Sequence, residues 1–217
     1  MGDITVQGES KLNEEEDGSE PQVFELSDVS ESAVRTRKIA VGAVLAALSI
    51  AVAPSVGFIA RVAGWGIALF DHVSIIWMVA FLIGGPMVGS ISLIAGGIAL
   101  FPFDPFSPFG PIFKIVATLP MMLIPWYGVK RLKNNEGGEA LSRPKFFVTL
   151  MVLAFLLRLA LMIPINLVYG ALFAPYLTVE FILNYAIILN ASQSLWDSLI
   201  PFIIVYTTGV FKNFKMW

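Results

Sequence analysis

The segment of residues 84–120 constrains the fold most, because two apolar arms flank a centre that no helix can cross. The centre reads FPFDPFSPFGP, and proline lacks a backbone donor and clashes with the preceding helical turn. Its prolines are Pro102, Pro105, Pro108 and Pro111. Each arm is long enough to cross, or nearly cross, a hydrocarbon layer about 30 Å thick. The pattern predicts a membrane protein whose chain reverses at the prolines.

Composition narrows the class of protein further. Hydrophobic residues make up 57% of the 217 residues and charged residues only 14%, whereas soluble domains carry roughly 25% charged residues. The chain has no cysteine, which excludes disulfides and thiolate metal sites, and its single histidine, His72, excludes a multi-histidine metal site within one chain. We expect no metal, no cofactor and no nucleic-acid partner.

Charge divides the chain into two parts. Ten of the 16 acidic residues precede Arg35, but only one of the 14 lysines and arginines does. Residues 1–33 are polar, rich in glycine and glutamate and without an apolar face, which predicts a disordered acidic cytoplasmic tail. Residues 34–217 form the predicted membrane domain, which carries an excess of positive charge.

Apolar runs in the membrane domain predict an all-α fold, a six-helix transmembrane bundle. The predicted spans cover residues 38–59, 73–82, 87–100, 112–127, 146–172 and 181–211, with a tight turn at GGP between the second and the third. Basic clusters lie within residues 35–38, 130–133, 143–145 and 212–215. Cytoplasmic loops carry an excess of lysine and arginine, so both termini are predicted to lie in the cytoplasm.

Two basic residues inside the spans are the strongest candidates for a binding site. Arg158 lies near the middle of the fifth span, so it is expected to face the bundle interior or a water-filled cavity. The alternative is a structural pair with Asp197 on the sixth span. Lys114 lies just inside the fourth span and could instead reach the outer surface with its flexible stem. Together the two cations favour an anionic or carbonyl-rich ligand.

Other polar side chains are expected to converge on the same face of the membrane. They are Trp65 and Asp71 in the first outer loop, Asn166, Tyr169 and Tyr185 in the outer halves of spans five and six, and Asn190 and Gln193 deeper in the membrane. Several polar groups at one face of an apolar bundle predict a small-molecule pocket. The amides could equally bond backbone groups freed by Pro164, and Trp65 could belong to an interfacial aromatic belt.

Sequence signals of catalysis are absent. The chain contains no GxSxG, HExxH or Walker lysine motif, so we expect neither an enzyme nor an ATPase. Two alternatives to a binding protein stay open at this point. One is a stand-alone carrier or channel, and the other is an intramembrane enzyme that uses Arg158, Asp197 and His72.

Two segments point to a known family. RKIAVGAVLAALSIA has a basic cluster followed by a helix with small residues at helical spacing, and LFDHVSIIWMVAFLIGGPMVGSISLIAGG has an L-x-D start, a GP turn and a small-residue helix. Across residues 37–212 this arrangement resembles the substrate-binding S component of energy-coupling-factor (ECF) vitamin transporters. The family's Ala-xxx-Ala face corresponds best to Ala43 and Ala47. By physics alone, this small-residue face could also serve internal packing.

The resemblance implies a function in the plasma membrane of a prokaryote. The protein would capture a vitamin or related small nutrient at the outer face. Ala43 and Ala47 would dock on a transmembrane coupling protein driven by two cytoplasmic ATPases. The binding subunit would then topple in the membrane to release its cargo inside.

Riboflavin is the first expectation for the cargo. INLVYGALFAPYL, late in the fifth span, is similar to an Asn-Tyr/Pro-Tyr pattern of the riboflavin-binding branch. The sixth span reads NASQS at residues 190–194, where that branch has an Asn-x-x-Lys-Gly-like pattern. Because Gln193 and Ser194 depart from this pattern, another vitamin or cofactor precursor stays open.

Overall fold

A computed structural model of the chain describes residues 31–54, 70–104, 106–133, 136–214 and 216–217. All secondary structure in these residues is helical. The α-helices are α1 (Glu31–Val52), α2 (His72–Ala99), α3 (Phe109–Leu132), α4 (Pro144–Phe173), α5 (Val179–Phe202) and α6 (Val210–Phe214). A 3-10 helix, Gly137–Ser142, precedes α4, and a π-helical turn, Ile203–Thr207, extends α5. The predicted tail up to residue 30 and Trp65 lie outside the described residues, and α1 already begins at Glu31.

Within the described residues, four helices are long and apolar enough to cross a membrane. They are α2, α3, α4 and α5 with its π-helical extension. This confirms an all-helical chain with the character of a membrane protein. The first helix is not among the four, because Arg35, Arg37 and Lys38 occupy its first part and leave too short an apolar stretch before Val52.

The second and third predicted spans form one helical element that reverses direction at Gly85. The backbone there has φ 77° and ψ −167°, a left-handed conformation that favours glycine. A Cβ atom on Gly89 would lie 2.8 Å from the Cβ of Phe81, and one on Gly96 would lie 2.5 Å from the Trp77 Nε1. Since a straight helix rises about 1.5 Å per residue, these contacts require two antiparallel arms. The predicted turn at GGP is confirmed.

The first helix packs against α2 through one face and leaves another uncovered. Its buried residues are Gly42, Ala46 and Ser49. A Cβ on Gly42 would lie 3.0 Å from the Cβ of Ile91, so glycine allows a close approach of the two helices. Ala43 and Ala47 are exposed in the chain by itself. Internal packing therefore uses the stripe beside the predicted docking alanines.

One end of the bundle is closed by apolar packing around Trp217. Its indole nitrogen donates a hydrogen bond to the Leu82 carbonyl oxygen over 3.1 Å, and its ring centroid lies 5.3 Å from that of Phe81. The Tyr206 hydroxyl donates to the Gly138 carbonyl oxygen over 2.9 Å and ties the π-helical turn to the 3-10 helix. We call this region the packed end. It includes the reversal of α2, the end of α3, the start of α4 and the end of α5.

Candidate functional site

The opposite end of the bundle encloses a cavity of about 480 Å³, which we call the cavity end. It is lined by Ala53 just after α1, the residues that flank both ends of α2, the start of α3, the later half of α4 and the first half of α5. Pockets for small ligands range over about 300–1,000 Å³. Seven predicted site residues line the cavity: Asp71, Lys114, Asn166, Tyr169, Tyr185, Asn190 and Gln193.

Aromatic side chains from α3 and α4 form one wall of this cavity. The ring centroid of Phe109 lies 4.7 Å from that of Phe173 and 5.2 Å from that of Tyr169. Phe113 packs its ring against Tyr169 at 5.4 Å. Phe109 and Phe113 lie one helical turn apart, as do Tyr169 and Phe173, so each helix presents a pair of rings on one face. We call these four residues the aromatic wall. It offers flat apolar surfaces to a ring-shaped ligand.

Lys114 forms an ion pair across the cavity wall and does not extend to the protein surface. Its Nζ lies 3.0 Å from the Oδ2 of Asp71, and the two side chains are 20% and 5% exposed. The other carboxylate oxygen, Oδ1, accepts a hydrogen bond from the Val73 backbone nitrogen over 3.1 Å and caps the start of α2. Aspartate is favoured at this position because it satisfies a helix N–H group that has no partner within the helix. Asp71 therefore holds Lys114 while closing its own helix.

Arg158 lies behind the cavity wall, in a buried polar network with α5. Its Nη1 donates to the Asp197 carboxylate over 2.9 Å, its Nε to the Asn190 side-chain oxygen over 2.8 Å, and its Nη2 to Gln193 over 2.8 Å. Asp197 also accepts a hydrogen bond from Ser74 over 2.6 Å. The structural pair with Asp197, left open by the sequence, is present. Arg158 itself is outside the cavity lining and orients the two amides that are part of it.

Asn166 and Tyr169 present polar atoms to the cavity from one face of α4. The Asn166 Nδ2 donates to the carbonyl oxygen of Met162 over 2.7 Å, one turn back in the same helix. In the part of the chain that the structure describes, the Asn166 Oδ1 and the Tyr169 hydroxyl have no hydrogen-bond partner. Both are therefore available to a ligand. Asn190 is more constrained, since its Nδ2 donates to the Ala186 carbonyl oxygen and its Oδ1 is held by Arg158.

The cavity also contains an acid that the sequence analysis did not single out, Asp104. It lies in the proline-rich segment, and its Oδ1 accepts a hydrogen bond from the Phe106 backbone nitrogen over 2.8 Å. The carboxylate rests against Gly110, where a Cβ atom would lie 2.5 Å from Oδ1. The sequence did contain a signal for Asp104, because it shows an acid inside the proline-rich reversal of the chain. However, an aspartate next to prolines is also typical of an ordinary turn, so the pattern alone did not mark it as a site residue.

The site as a whole has the chemistry of binding: aromatic faces, a paired lysine, two carboxylates and amide oxygens. Among the residues that the structure describes, no three acidic or histidine side chains are grouped as a metal site would require. Comparison of the chain with protein-family models, curated proteins and solved structures found no match.

Proposed function

We propose that this protein is the substrate-binding subunit of an ATP-driven, ECF-type importer and that it captures a vitamin or related small nutrient. The observation that carries the proposal is the cavity of about 480 Å³ at one end of an apolar helical bundle. Its aromatic wall and few polar groups suit a small ring-shaped molecule. The chain has no Walker motif, so the energy for import would come from partner subunits.

In the proposed membrane arrangement, six apolar segments cross the bilayer. They are the first span predicted from the sequence (residues 38–59), the two arms of α2, α3, α4, and α5 with its extension. The basic residues near the packed end, such as Lys130, Arg131 and Arg143, would be cytoplasmic by the positive-inside rule. Both termini would then be cytoplasmic, and the cavity would open toward the outside of a prokaryotic plasma membrane.

The exposed alanines of α1 provide a surface for a coupling protein. Ala43 and Ala47 are exposed, as are Val44 and Leu48 beside them. Small residues spaced four apart allow close helix contact within lipid. We propose that a transmembrane coupling protein, driven by two cytoplasmic ATPases, docks on this surface.

Two features favour capture over the alternative functions. A channel needs a continuous path, whereas apolar contacts around Trp217 fill the packed end. An enzyme built on Arg158 and Asp197 would need these groups to reach a substrate, but they are 2% and 1% exposed and bonded to each other.

The first experiment is native mass spectrometry of the detergent-purified protein, combined with the absorption spectrum of any molecule that co-purifies. A bound small molecule is the expected result, and a flavin spectrum would identify riboflavin. If the protein is empty, a thermal-shift screen across vitamins follows. A protein that is empty and also unresponsive to every vitamin would contradict the proposal.

A further inference from the structure

The cavity has an unequal balance of charge once ion pairs are counted. Its ionisable lining comprises Asp71, Asp104 and Lys114 within the described residues, which is two acids and one base. Lys114 is neutralised by Asp71 at 3.0 Å, and Arg158 behind the wall is neutralised by Asp197 at 2.9 Å. Asp104 forms no ion pair with any part of the chain that the structure describes. The described residues therefore give the cavity one uncompensated negative charge.

This uncompensated carboxylate lies close to the aromatic wall. Asp104 contacts Gly110, the residue that follows Phe109 of the wall, and glycine is what leaves space for the carboxylate there. Its Oδ1 accepts one backbone hydrogen bond, and its Oδ2 accepts none from the described residues. Aromatic faces attract cations through their negative π surface, and a carboxylate adds direct charge attraction. The two together have the chemistry that binds an organic cation.

We infer that the captured ligand is a planar organic cation whose ring lies on the aromatic wall and whose positive charge is directed toward Asp104. This inference rests on the proposed function and adds the charge class of the cargo. The Asn166 Oδ1 offers a second acceptor in the same cavity. An anionic ligand would instead meet the Asp104 carboxylate, while both nearby cations are already engaged by acids.

The test uses three ring compounds of nearly the same shape: N-methylquinolinium (cationic), quinoline (neutral at pH 7.5) and quinoline-2-carboxylate (anionic). Their dissociation constants are measured by isothermal titration with the full chain in one detergent. We expect the cation to bind about tenfold or more tightly than neutral quinoline, a difference of about 1.4 kcal/mol or more, and the anion to bind most weakly.

Variants identify the group responsible for the preference. Asp104→Asn keeps the shape and an oxygen for the Phe106 hydrogen bond but removes the charge. The preference for the cation over the neutral ring should therefore fall to the smaller part that the aromatic faces supply. Glu180→Gln is the matched control, because Glu180 is an exposed acid at the start of α5 and is outside the cavity lining. It should keep the full preference. Partitioning into detergent micelles is the same for all variants and cancels in this comparison.

The outcomes separate this inference from the proposed function. Equal or tighter binding of the neutral or anionic ring to the wild type overturns the cation inference, while capture of a small molecule still stands. An unchanged preference in Asp104→Asn also overturns it. If none of the three rings binds, the inference is overturned, and the vitamin screen then decides whether the proposed function is lost with it. If Asp104→Asn does not fold, Phe109→Leu replaces it, since loss of a ring from the wall should also reduce the preference.

Discussion

The two ends of the helical bundle differ in how they fill the space between the same helices. At the packed end, Trp217 closes against Phe81, and the interior side chains Met121, Leu141 and Val205 are fully buried. The cavity end places charged and amide groups beside an open volume. Close packing makes a region hard to deform, so the packed end is suited to be the scaffold. At the cavity end, the Asn166 Oδ1 and the Tyr169 hydroxyl have no partner among the described residues and can form hydrogen bonds with a ligand.

The polar network of Arg158 lies between these two ends and gives the largest expected effect. Arg158→Ala removes the partner of a buried carboxylate, Asp197, and breaking such a pair costs about 3–5 kcal/mol. We expect a matching loss in the free energy of unfolding, measured by denaturant titration in mixed micelles. Ligand binding should weaken too, because Asn190 and Gln193 lose the group that orients them.

The control for this prediction replaces both members of the pair. Arg158→Met combined with Asp197→Leu leaves no unpaired charge, and apolar replacement of a buried pair is often neutral or stabilising. The double variant should recover most of the stability. If Arg158→Ala were as stable as the wild type but unable to bind ligand, Arg158 would contact the ligand directly.

Gly85→Ala tests how much the packed end depends on its reversal. The substitution places a side chain at φ 77° and directs its Cβ to within 2.6 Å of the Trp217 ring. Strain from left-handed backbone costs roughly 1–2 kcal/mol, and overpacking adds roughly 1–3 kcal/mol. We expect Gly85→Ala to lower the free energy of unfolding by the sum of these two costs.

The matched control for Gly85 is Gly209→Ala. Gly209 also has a positive φ, 79°, but apart from its chain neighbours no described residue has an atom within 4 Å of its Cβ position. It should show only the strain, about 1–2 kcal/mol. Equal losses in the two variants would mean that the Trp217 ring moves aside without a measurable cost.

Asn166→Leu tests the cavity end without disturbing the packed end. The change removes an acceptor that has no partner in the described structure, and one hydrogen bond contributes about 0.5–1.5 kcal/mol. Binding of the natural ligand should therefore weaken about twofold to twelvefold, measured by titration, while the melting temperature stays close to that of the wild type. Asn184→Leu, at an exposed position of the same end, is the control and should bind normally. A large fall in melting temperature would make Asn166 structural.

The smallest effect on stability is expected at the exposed face of α1. Ala43→Leu with Ala47→Leu should change the unfolding free energy by less than about 0.5 kcal/mol, because neither residue is buried. Ligand binding should stay intact, while uptake into cells that carry the coupling proteins should be lost. Ala171→Leu, at an exposed position on α4, should leave uptake unchanged. Normal uptake by the double alanine variant would remove these residues from the docking surface.

Much of the cavity end could be predicted because its residues have unusual chemistry for their setting. Lys114 and Asn166 are polar groups in apolar helices, and such groups rarely face lipid. Both line the cavity. Asp104 was missed because an acid in a proline-rich reversal has an ordinary explanation as a turn residue. Of the aromatic wall, Tyr169 was predicted, but its phenylalanines were missed because phenylalanine at helical spacing also suits packing or lipid contact.

The expected ligand charge depended on a fact that sequence cannot supply. In the sequence, the partners of Arg158 and Lys114 are not visible, and together the two cations favour an anionic or carbonyl-rich ligand. Each is held by an acid from a different helix, at 2.9 Å and 3.0 Å. Once paired, they contribute little net charge, and among the described residues Asp104 decides the sign of the charge in the cavity.

Local chemistry in the sequence determined the helical membrane character, the reversal at Gly85 and the reversal at the prolines. The effects of apolar runs, of glycine at positive φ and of proline depend on residues that are close in the sequence. They can therefore be predicted without the tertiary structure. Tertiary structure alone decided which face of α1 is buried and which acid neutralises each cation. Asp71 and Lys114 come from different helices, as do Arg158 and Asp197, and only the packing of helix faces brings such distant residues within bonding distance.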